Sequence, residues 1–267
     1  MKRFVTVLLI LSVILLSVAA LPLSAEDGKA KGYSWYVTRN RDHKQPVFSD
    51  LQKETEKYGA YCIDVLHNDT CESKVVYLTF DAGYENGNIA KILDILKDEE
   101  VPAAFFILKH LINREPELVN RMASEGHLVC NHTMNHKDMT ACSADEFKRE
   151  LDGLADLYRA TYGREMAKYY RPPEGKYSIE NLQMASQLGY KTVFWSFAYA
   201  DWDNGAQPQP EAAKAKIMQN MHNGAVLLLH PTSATNAAIL ADVICDLKAQ
   251  GYRFGTLDEL TGNSANA

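Results

Sequence analysis

The chain has 267 residues, of which 46% are hydrophobic and 23% are charged. This composition excludes a disordered polar tract, a collagen-like repeat and a small disulfide scaffold, and the length fits one large α/β domain with a sizeable core. The formal net charge is −6, and no run of Lys or Arg exceeds two residues. Because binding to a phosphate backbone requires a basic surface, no nucleic-acid partner is expected.

The first 25 residues have the features of a secretory signal peptide. Lys2 and Arg3 precede an uncharged, mostly apolar run that ends at Leu23, and the small pair Ser24-Ala25 follows. This order is typical of a cleaved signal peptide. An uncleaved anchor is the alternative, because about 17–25 apolar residues span a bilayer as a helix. We therefore expect a protein that is secreted or held in the cell wall or at the outer face of the cytoplasmic membrane, contacting the membrane only if this segment is uncleaved.

Residues 26–73 are aromatic and polar and lack the regular alternation of the rest of the chain. We predict an N-terminal extension wrapped on a main domain that spans residues 74–262. If the extension shapes a substrate cleft, its deletion is expected to lower activity without unfolding the main domain.

Cysteine content gives little indication of a disulfide framework. No CxxC pair occurs, so a thiolate metal cluster is not expected. Either all five thiols are reduced and mostly buried, or two of them that lie close in sequence close a small loop. The cysteines are Cys62, Cys71, Cys130, Cys142 and Cys245.

From residue 74 onward, short apolar runs alternate with stretches of helical periodicity. The pattern predicts strands at 75–80, 103–107, 127–130, 169–170, 192–195, 225–229 and 252–257. Helices are predicted between them, one of which begins at a capping box formed by Ser143 and Glu146. Strand followed by helix, repeated about seven times, predicts an α/β fold with a parallel sheet, either open and doubly wound or closed as a barrel.

Ionisable side chains follow the predicted strands at five places. Parallel α/β folds bind ligands at the carboxyl ends of their strands, so residues at these positions are the first candidates for a functional site. Their chemistry suits hydrolysis, since they supply a carboxylate, imidazoles and a guanidinium. The residues are Asp81, His132, His136, Arg171, Asp201 and His230.

Taken singly, most of these residues also have a structural explanation. Asp81 suits the N-cap of the following helix, and Arg171 suits the surface before a rigid turn. His132 and His136, four residues apart, would share one face of a helix and reach a single ion, or they are hydrogen-bonded loop residues. His230 is harder to explain without a function, because it ends a fully apolar strand.

Taken together, the order and spacing of these blocks resemble the five motifs of the polysaccharide deacetylases, the NodB-homology domain of carbohydrate esterase family 4. The resemblance covers roughly residues 74–260, and all the blocks occur in the family's order. Residues 78–87, with Ser34-Trp35-Tyr36 upstream, are most similar to the delta-lactam-biosynthetic de-N-acetylases, which act on muramic acid of the spore-cortex peptidoglycan. The blocks are Thr79-Phe80-Asp81, His132-Thr-x-x-His136, Arg171-Pro-Pro-x-Gly175, Asp201-Trp202 and Leu228-Leu229-His230.

The resemblance implies a distorted (β/α) barrel with about seven parallel strands, and a catalytic arrangement within it. It assigns one divalent cation to His132 and His136. Zinc is the expected ion, and magnesium or another divalent ion is the alternative. Asp81 would take a proton from water as general base, and Arg171 would orient Asp81 and keep it ionised.

The remaining roles follow from the same resemblance. His230 would protonate the leaving amine, and Asp201 would hold His230 and raise its pKa. Trp202 and Leu228 would form a small apolar pocket for the acetyl methyl group. The residues assigned to substrate binding are Tyr84, Glu174, Trp202 and Leu228.

One position departs from the pattern of most members. The family usually has a second Asp after the first-motif Asp, as a metal ligand, whereas this chain has Ala82. Catalytic zinc normally keeps three protein ligands, so a third contact would come from Asp81, from water or from a neighbour such as Asn86. The members that this chain most resembles also lack this Asp, so its absence does not imply a loss of activity. We expect the metal ion to bind more weakly, or with less selectivity for zinc, than in members that have the second Asp.

The expected function is therefore metal-dependent de-N-acetylation of peptidoglycan glycan strands by a monomer, with N-acetylmuramic acid as substrate after stem-peptide removal. N-acetylglucosamine in peptidoglycan or a chitin-like glycan is the alternative substrate. A glycan-binding module that lost its metal is an alternative of another class, although it would not need a matched base and acid. A glycosidase using Asp81 and Asp201 would leave the histidine pair unexplained.

Overall fold

The computed structural model describes residues 31–40 and 42–262. The predicted signal peptide at residues 1–25 therefore lies outside the described residues. Within the described ranges, no helix combines the length and the apolar character needed to cross a membrane.

The strands follow the predicted order, with additional short ones. They are β1 (Tyr33–Ser34), β2 (Ala60–Tyr61), β3 (Lys74–Ala82), β4 (Ala103–Ile107), β5 (Leu128–Asn131), β6 (Tyr169–Tyr170), β7 (Lys176–Tyr177), β8 (Lys191–Val193), β9 (Phe197–Ala198), β10 (Ala225–Leu229) and β11 (Tyr252–Phe254).

The helices connect the strands as the periodicity indicates, and Ser143 and Glu146 form the predicted capping box. They are α1 (Asp50–Glu54), α2 (Ile89–Asp98), α3 (Lys109–Arg114), α4 (Pro116–Ser124), α5 (Ala144–Tyr162), α6 (Ile179–Gln187), α7 (Pro210–Asn220), α8 (Ala234–Ala249) and α9 (Leu257–Leu260). Short 3-10 turns occupy Thr55–Tyr58, Met139–Ala141 and Pro173–Gly175.

The main sheet is a curled, parallel half-barrel. Its strand order is β2-β8-β6-β5-β4-β3-β10-β9, and β11 pairs with the start of β3. All of these pairs are parallel, whereas β1 and β7 form a separate antiparallel pair. The expected α/β barrel is confirmed. The sequence did not indicate β2 and β9 of the main sheet or the separate pair β1 and β7, each of which has only two residues.

The central strand β3 separates two apolar layers. Val75 and Tyr77 pack inside the half-barrel, and Val76 and Leu78 pack between the sheet and the surrounding helices. Successive side chains of a strand point to opposite faces, so Asp81 continues the inner row. Strand β3 therefore carries a carboxylate to the inner, carboxyl-terminal end of the sheet.

The N-terminal extension is built into the fold. Trp35 is 5% exposed, stacks on Phe194 at a centroid distance of 4.2 Å, and donates from Nε1 to the Trp195 carbonyl oxygen at 2.9 Å. Strand β2 adds an edge to the main sheet by pairing with β8. Deleting the extension would remove a strand and a buried indole from this packing, and whether the main domain survives the deletion stays a prediction.

The five cysteines are unpaired and differ in burial. All five thiols are free, so the loop between Cys62 and Cys71 is not closed. Only Cys130 is buried, and Cys245 is exposed, so the expectation of mostly buried thiols is wrong.

Candidate active site

Asp81 and Arg171 form an ion pair at the end of the inner sheet surface. Arg171 Nη1 donates to Asp81 Oδ1 at 2.9 Å, and the Arg171 side chain is 0% exposed. Nε donates to the Val193 carbonyl oxygen at 2.9 Å and Nη2 to that of Phe194 at 3.1 Å. The guanidinium also lies 4.2 Å from the centre of the Phe106 ring. Arg171 is therefore an interior residue that fixes the orientation of the carboxylate, and the surface explanation does not apply.

The surroundings of Asp81 keep it ionised. Burial, the largest single influence, raises its pKa, but the charges of His132, Arg171 and His230 and the Arg171 hydrogen bond together lower the pKa below its usual value. The N-cap position of α2 is occupied by Asn88, so Asp81 does not cap this helix. An oriented, ionised carboxylate has the properties of a general base.

His132 presents a neutral imidazole beside this carboxylate. Its Nδ1 lies 2.8 Å from the Arg171 carbonyl oxygen, which only accepts, so Nδ1 carries the proton. Its Nε2 lies 3.5 Å from Asp81 Oδ2, and burial lowers the pKa of His132 to about 4. Nε2 therefore keeps a lone pair. The hydrogen bond at the other nitrogen orients the ring, as the hydrogen-bond acceptors behind metal-binding histidines do.

His136 lies next to His132, but the two are not on a helix. Their ring centroids are 5.0 Å apart. Thr133 and His136 have φ values of 75° and 55°, so the chain forms a tight loop in which both are left-handed. The His136 amide donates to Thr133 Oγ1 at 2.9 Å, which closes this loop.

Glu150 on α5 fastens the same loop from outside. Its carboxylate accepts hydrogen bonds from the Asn135 amide at 2.9 Å and from Asn135 Nδ2 at 2.8 Å, and Lys137 Nζ lies 3.1 Å away. Glu150 is 4% exposed, which makes these contacts persistent. This residue was not indicated by the sequence, because its partners become neighbours only when α5 packs against the loop.

We expect Glu150→Gln to lower the affinity for divalent metal about 10–100-fold, the usual effect of removing an outer partner of metal ligands. A glutamine amide has one oxygen instead of two acceptors, so the loop that positions His136 loosens. Titration with zinc, followed by calorimetry, measures the change. Glu165→Gln, at a carboxylate that is 70% exposed, is the control, and equal affinities in the two variants would contradict this role.

The donor set suits a divalent ion in part. Among the described residues, no group of three or more His, Cys, Asp or Glu side chains is arranged to hold a metal ion. The two neighbouring imidazoles are donors of the appropriate chemistry, and the Asp81 carboxylate is beside them. The amide oxygen of Asn86, the atom that would bind a metal, accepts from Asn88 Nδ2 at 3.1 Å, and its Nδ2 donates to the Thr232 carbonyl oxygen at 2.7 Å. Ala82 belongs to the apolar layer under the helices. Asp81 or water is left for the third position.

His230 and Asp201 form a second oriented pair. His230 Nδ1 lies 2.7 Å from Asp201 Oδ1, and the His230 amide donates to Asp201 Oδ2 at 2.8 Å. Asn236 Nδ2 donates to the same oxygen at 2.6 Å, and Asp201 is 0% exposed. Burial is the largest influence and lowers the pKa of His230, but the hydrogen bond and charge of Asp201 and the charge of Asp81 together raise it. His230 is thus suited to donate a proton.

The base and acid candidates are neighbours across the sheet. Phe80 of β3 is paired in register with Leu229, the last residue of β10. Asp81 is the next residue of β3, and His230 directly follows β10. Both line a cavity of about 860 Å³ at this end of the sheet.

The cavity contains every residue assigned to substrate binding. Trp202 is 61% exposed at its rim and Leu228 is 6% exposed in its wall. Arg171 and Asp201 lie behind the wall and act through Asp81 and His230. Lining residues that the sequence did not indicate are Arg39, Leu108, Trp195 and Tyr199. The roles of the site residues stay predictions, although the structure brings them together.

A curled parallel half-barrel with these motifs at its carboxyl end is the arrangement of a polysaccharide deacetylase. The polysaccharide deacetylase family model matches residues 68–193. The peptidoglycan-N-acetylmuramic acid deacetylase PdaA of Bacillus subtilis (strain 168) is 39% identical over 229 residues, which are 85% of each chain. A solved structure of Bacillus subtilis PdaA, described as a family 4 carbohydrate esterase, aligns with a TM-score of 0.82 at 38% identity and covers 87% of this chain and 98% of that chain. A peptidoglycan-N-acetylglucosamine deacetylase of Bacillus cereus is 32% identical over 213 residues, 79% of this chain and 97% of its own.

The chain belongs to the polysaccharide deacetylases of carbohydrate esterase family 4, and it is a deacetylase hydrolase.

Proposed function

We propose that the protein removes the acetyl group of N-acetylmuramic acid in peptidoglycan whose stem peptides have been removed. The observation that carries the chemistry is the pair formed by Asp81 and His230, an ionised carboxylate and an imidazole of raised pKa on adjacent strands of one cavity. The muramic acid substrate is supported by the similarity to PdaA, which is named as an N-acetylmuramic acid deacetylase.

The reaction consumes one water and releases acetate and a free sugar amine. A divalent ion bound at His132 and His136 would polarise the acetamide carbonyl and lower the pKa of a water molecule. Asp81 takes a proton from the attacking water, and Arg171 holds the carboxylate in one orientation. His230 gives its proton to the departing nitrogen as the C–N bond breaks. Leu228, in the wall, contacts the acetyl methyl group.

We infer that the protein acts outside the cytoplasm, on the cell wall, as the signal-like residues 1–25 indicate. We also propose a role in spore-cortex maturation, in which a free muramic amine would close on its own lactyl group as a lactam. This role is supported by the resemblance of residues 78–87 to the delta-lactam-biosynthetic de-N-acetylases.

The decisive experiment follows acetyl loss by mass spectrometry from glycan strands with and without stem peptides. The protein is stripped of metal and resupplied with zinc or magnesium. Metal-dependent loss from muramic acid, only after peptide removal, is the expected result. Loss from glucosamine residues instead would keep the reaction and overturn the substrate, and binding of the glycan without any loss would favour the glycan-binding module.

We expect the zinc affinity of this site to be lower than that of a site with three protein ligands, because Ala82 supplies no donor atom. In competition with a strong chelator, the chain should lose its zinc at chelator concentrations that leave a three-ligand site filled. A titration that shows one tightly held zinc per chain under this competition would contradict the expectation.

A further inference from the structure

The segment 35–39 of the N-terminal extension is docked beside the cavity. The Trp35 amide donates to the Gly175 carbonyl oxygen at 2.9 Å, and Trp35 Nε1 donates to the Trp195 carbonyl oxygen at 2.9 Å. Gly175 has a φ of +65°, and a Cβ there would lie 2.7 Å from the Trp195 ring, so this glycine permits the close contact. The extension is thereby held against two loops that form the cavity wall.

This docking places Arg39 at the wall of the cavity. One guanidinium nitrogen donates to the carbonyl oxygen of Ala198, at the end of β9, and the group lies 5.4 Å from the centre of the Phe197 ring. A guanidinium has five N–H donors in a planar fork, so most of its donors remain for a ligand. Arg39 lines the cavity together with Trp202 and Glu174.

Among the described Arg, Asp and Glu side chains that line the cavity, Arg39 alone has no ion-pair partner. Asp81 is paired with Arg171, and Glu174 Oε2 lies 2.7 Å from Lys176 Nζ. Among the described residues, Arg39 has no carboxylate within ion-pair distance. It is also the only Arg or Lys on the described cavity wall. Within the part of the chain that the structure describes, the cavity therefore presents one Arg that no carboxylate neutralises.

We propose that Arg39 binds a carboxylate of the glycan and selects for it. Planar guanidinium and carboxylate groups form two parallel hydrogen bonds, which add specificity as well as affinity. This inference rests on the proposed function, under which the carboxylate is the lactyl group of muramic acid. Glucosamine lacks this group, and an attached stem peptide converts it into an uncharged amide. Selection at Arg39 would thus explain why stem-peptide removal precedes deacetylation.

The experiment compares two ligands that differ at this carboxylate alone. Both are short glycans with muramic acid in which a methylsulfonyl group replaces the acetyl group, so that no turnover occurs during the measurement. One keeps the free lactyl carboxylate, and the other carries the primary amide. Dissociation constants are measured by calorimetry for the unaltered protein, Arg39→Met and Arg39→Lys. Lys53→Met, at an exposed cation outside the cavity wall, is the control.

For Arg39→Met we expect about 10–100-fold weaker binding of the free acid, as the loss of a charge-assisted hydrogen-bond pair predicts. Binding of the amide should stay unchanged, and Arg39→Lys should recover part of the preference. An equal effect on both ligands, or no effect, would overturn the assignment of Arg39. Because this readout is binding, it is separate from the deacetylation assay, in which the muramic acid substrate is supported or refuted by the unaltered protein.

Discussion

Replacing Asp81 by Asn is expected to lower kcat/KM for deacetylation by about 10²–10⁴-fold, the usual contribution of a general base. The amide has the same shape, and its oxygen still accepts from Arg171 Nη1, so the site keeps its geometry while losing the group that takes the proton. Acetate release from peptide-free glycan strands measures the effect. The large loss should appear in kcat, since the carboxylate acts on the attacking water.

A matched Asp→Asn change separates this chemical effect from general damage. Asp94 is 65% exposed and pairs with Arg121 at 2.7 Å on the helical surface. Asp94→Asn should leave kcat/KM within about twofold, because exposed ion pairs contribute about 0–1 kcal/mol to stability. If the Asp81→Asn variant kept a tenth or more of the kcat/KM of the unaltered protein, Asp81 would be excluded as the general base.

Replacing Arg171 by Met is expected to lower the free energy of unfolding by about 3–5 kcal/mol, the cost of removing one partner of a buried ion pair. Asp81 would be left as an uncompensated carboxylate, and the carbonyl oxygens of Val193 and Phe194 would lose their donors. Urea-induced unfolding, followed by circular dichroism, measures the change.

The control for this change is Arg159→Met, at a guanidinium that is 53% exposed and pairs with Asp156. It should cost less than about 1 kcal/mol. A double variant, Arg171→Met with Asp81→Leu, tests the cause. It should recover part of the stability, because the unpaired charge is then absent. If the double variant lost the sum of both single effects, the buried charge would not be the source of the instability.

The sequence predicted most of the architecture because its signals are local. The apolar residues of α2 recur at helical spacing, and Ile89, Ile92 and Leu93 are all buried as the spacing indicates. Strand β10 is five apolar residues, all buried, ended by a polar His230. Such patterns require no knowledge of distant parts of the chain.

The features that the sequence did not predict depend on distant contacts. Arg39 is one cation among many in an irregular segment, and its position becomes meaningful only when Trp35 docks near Trp195. The spacing of His132 and His136 fits one face of a helix as well as a loop. The sequence could not decide between them, because Thr133 adopts a left-handed conformation without the sequence signature that a glycine would give. Glu150 acts on this loop from 14 residues beyond His136.

The strands and the histidine loop hold different parts of the proposed site. The positions of Asp81 and His230 depend on the register of β3 and β10, where any shift would break backbone hydrogen bonds along both strands. The histidine pair lies on a short loop that Glu150 fastens by accepting two hydrogen bonds from Asn135. Under the proposed function, substitutions in this loop would therefore alter metal binding without disturbing the strands that position Asp81 and His230.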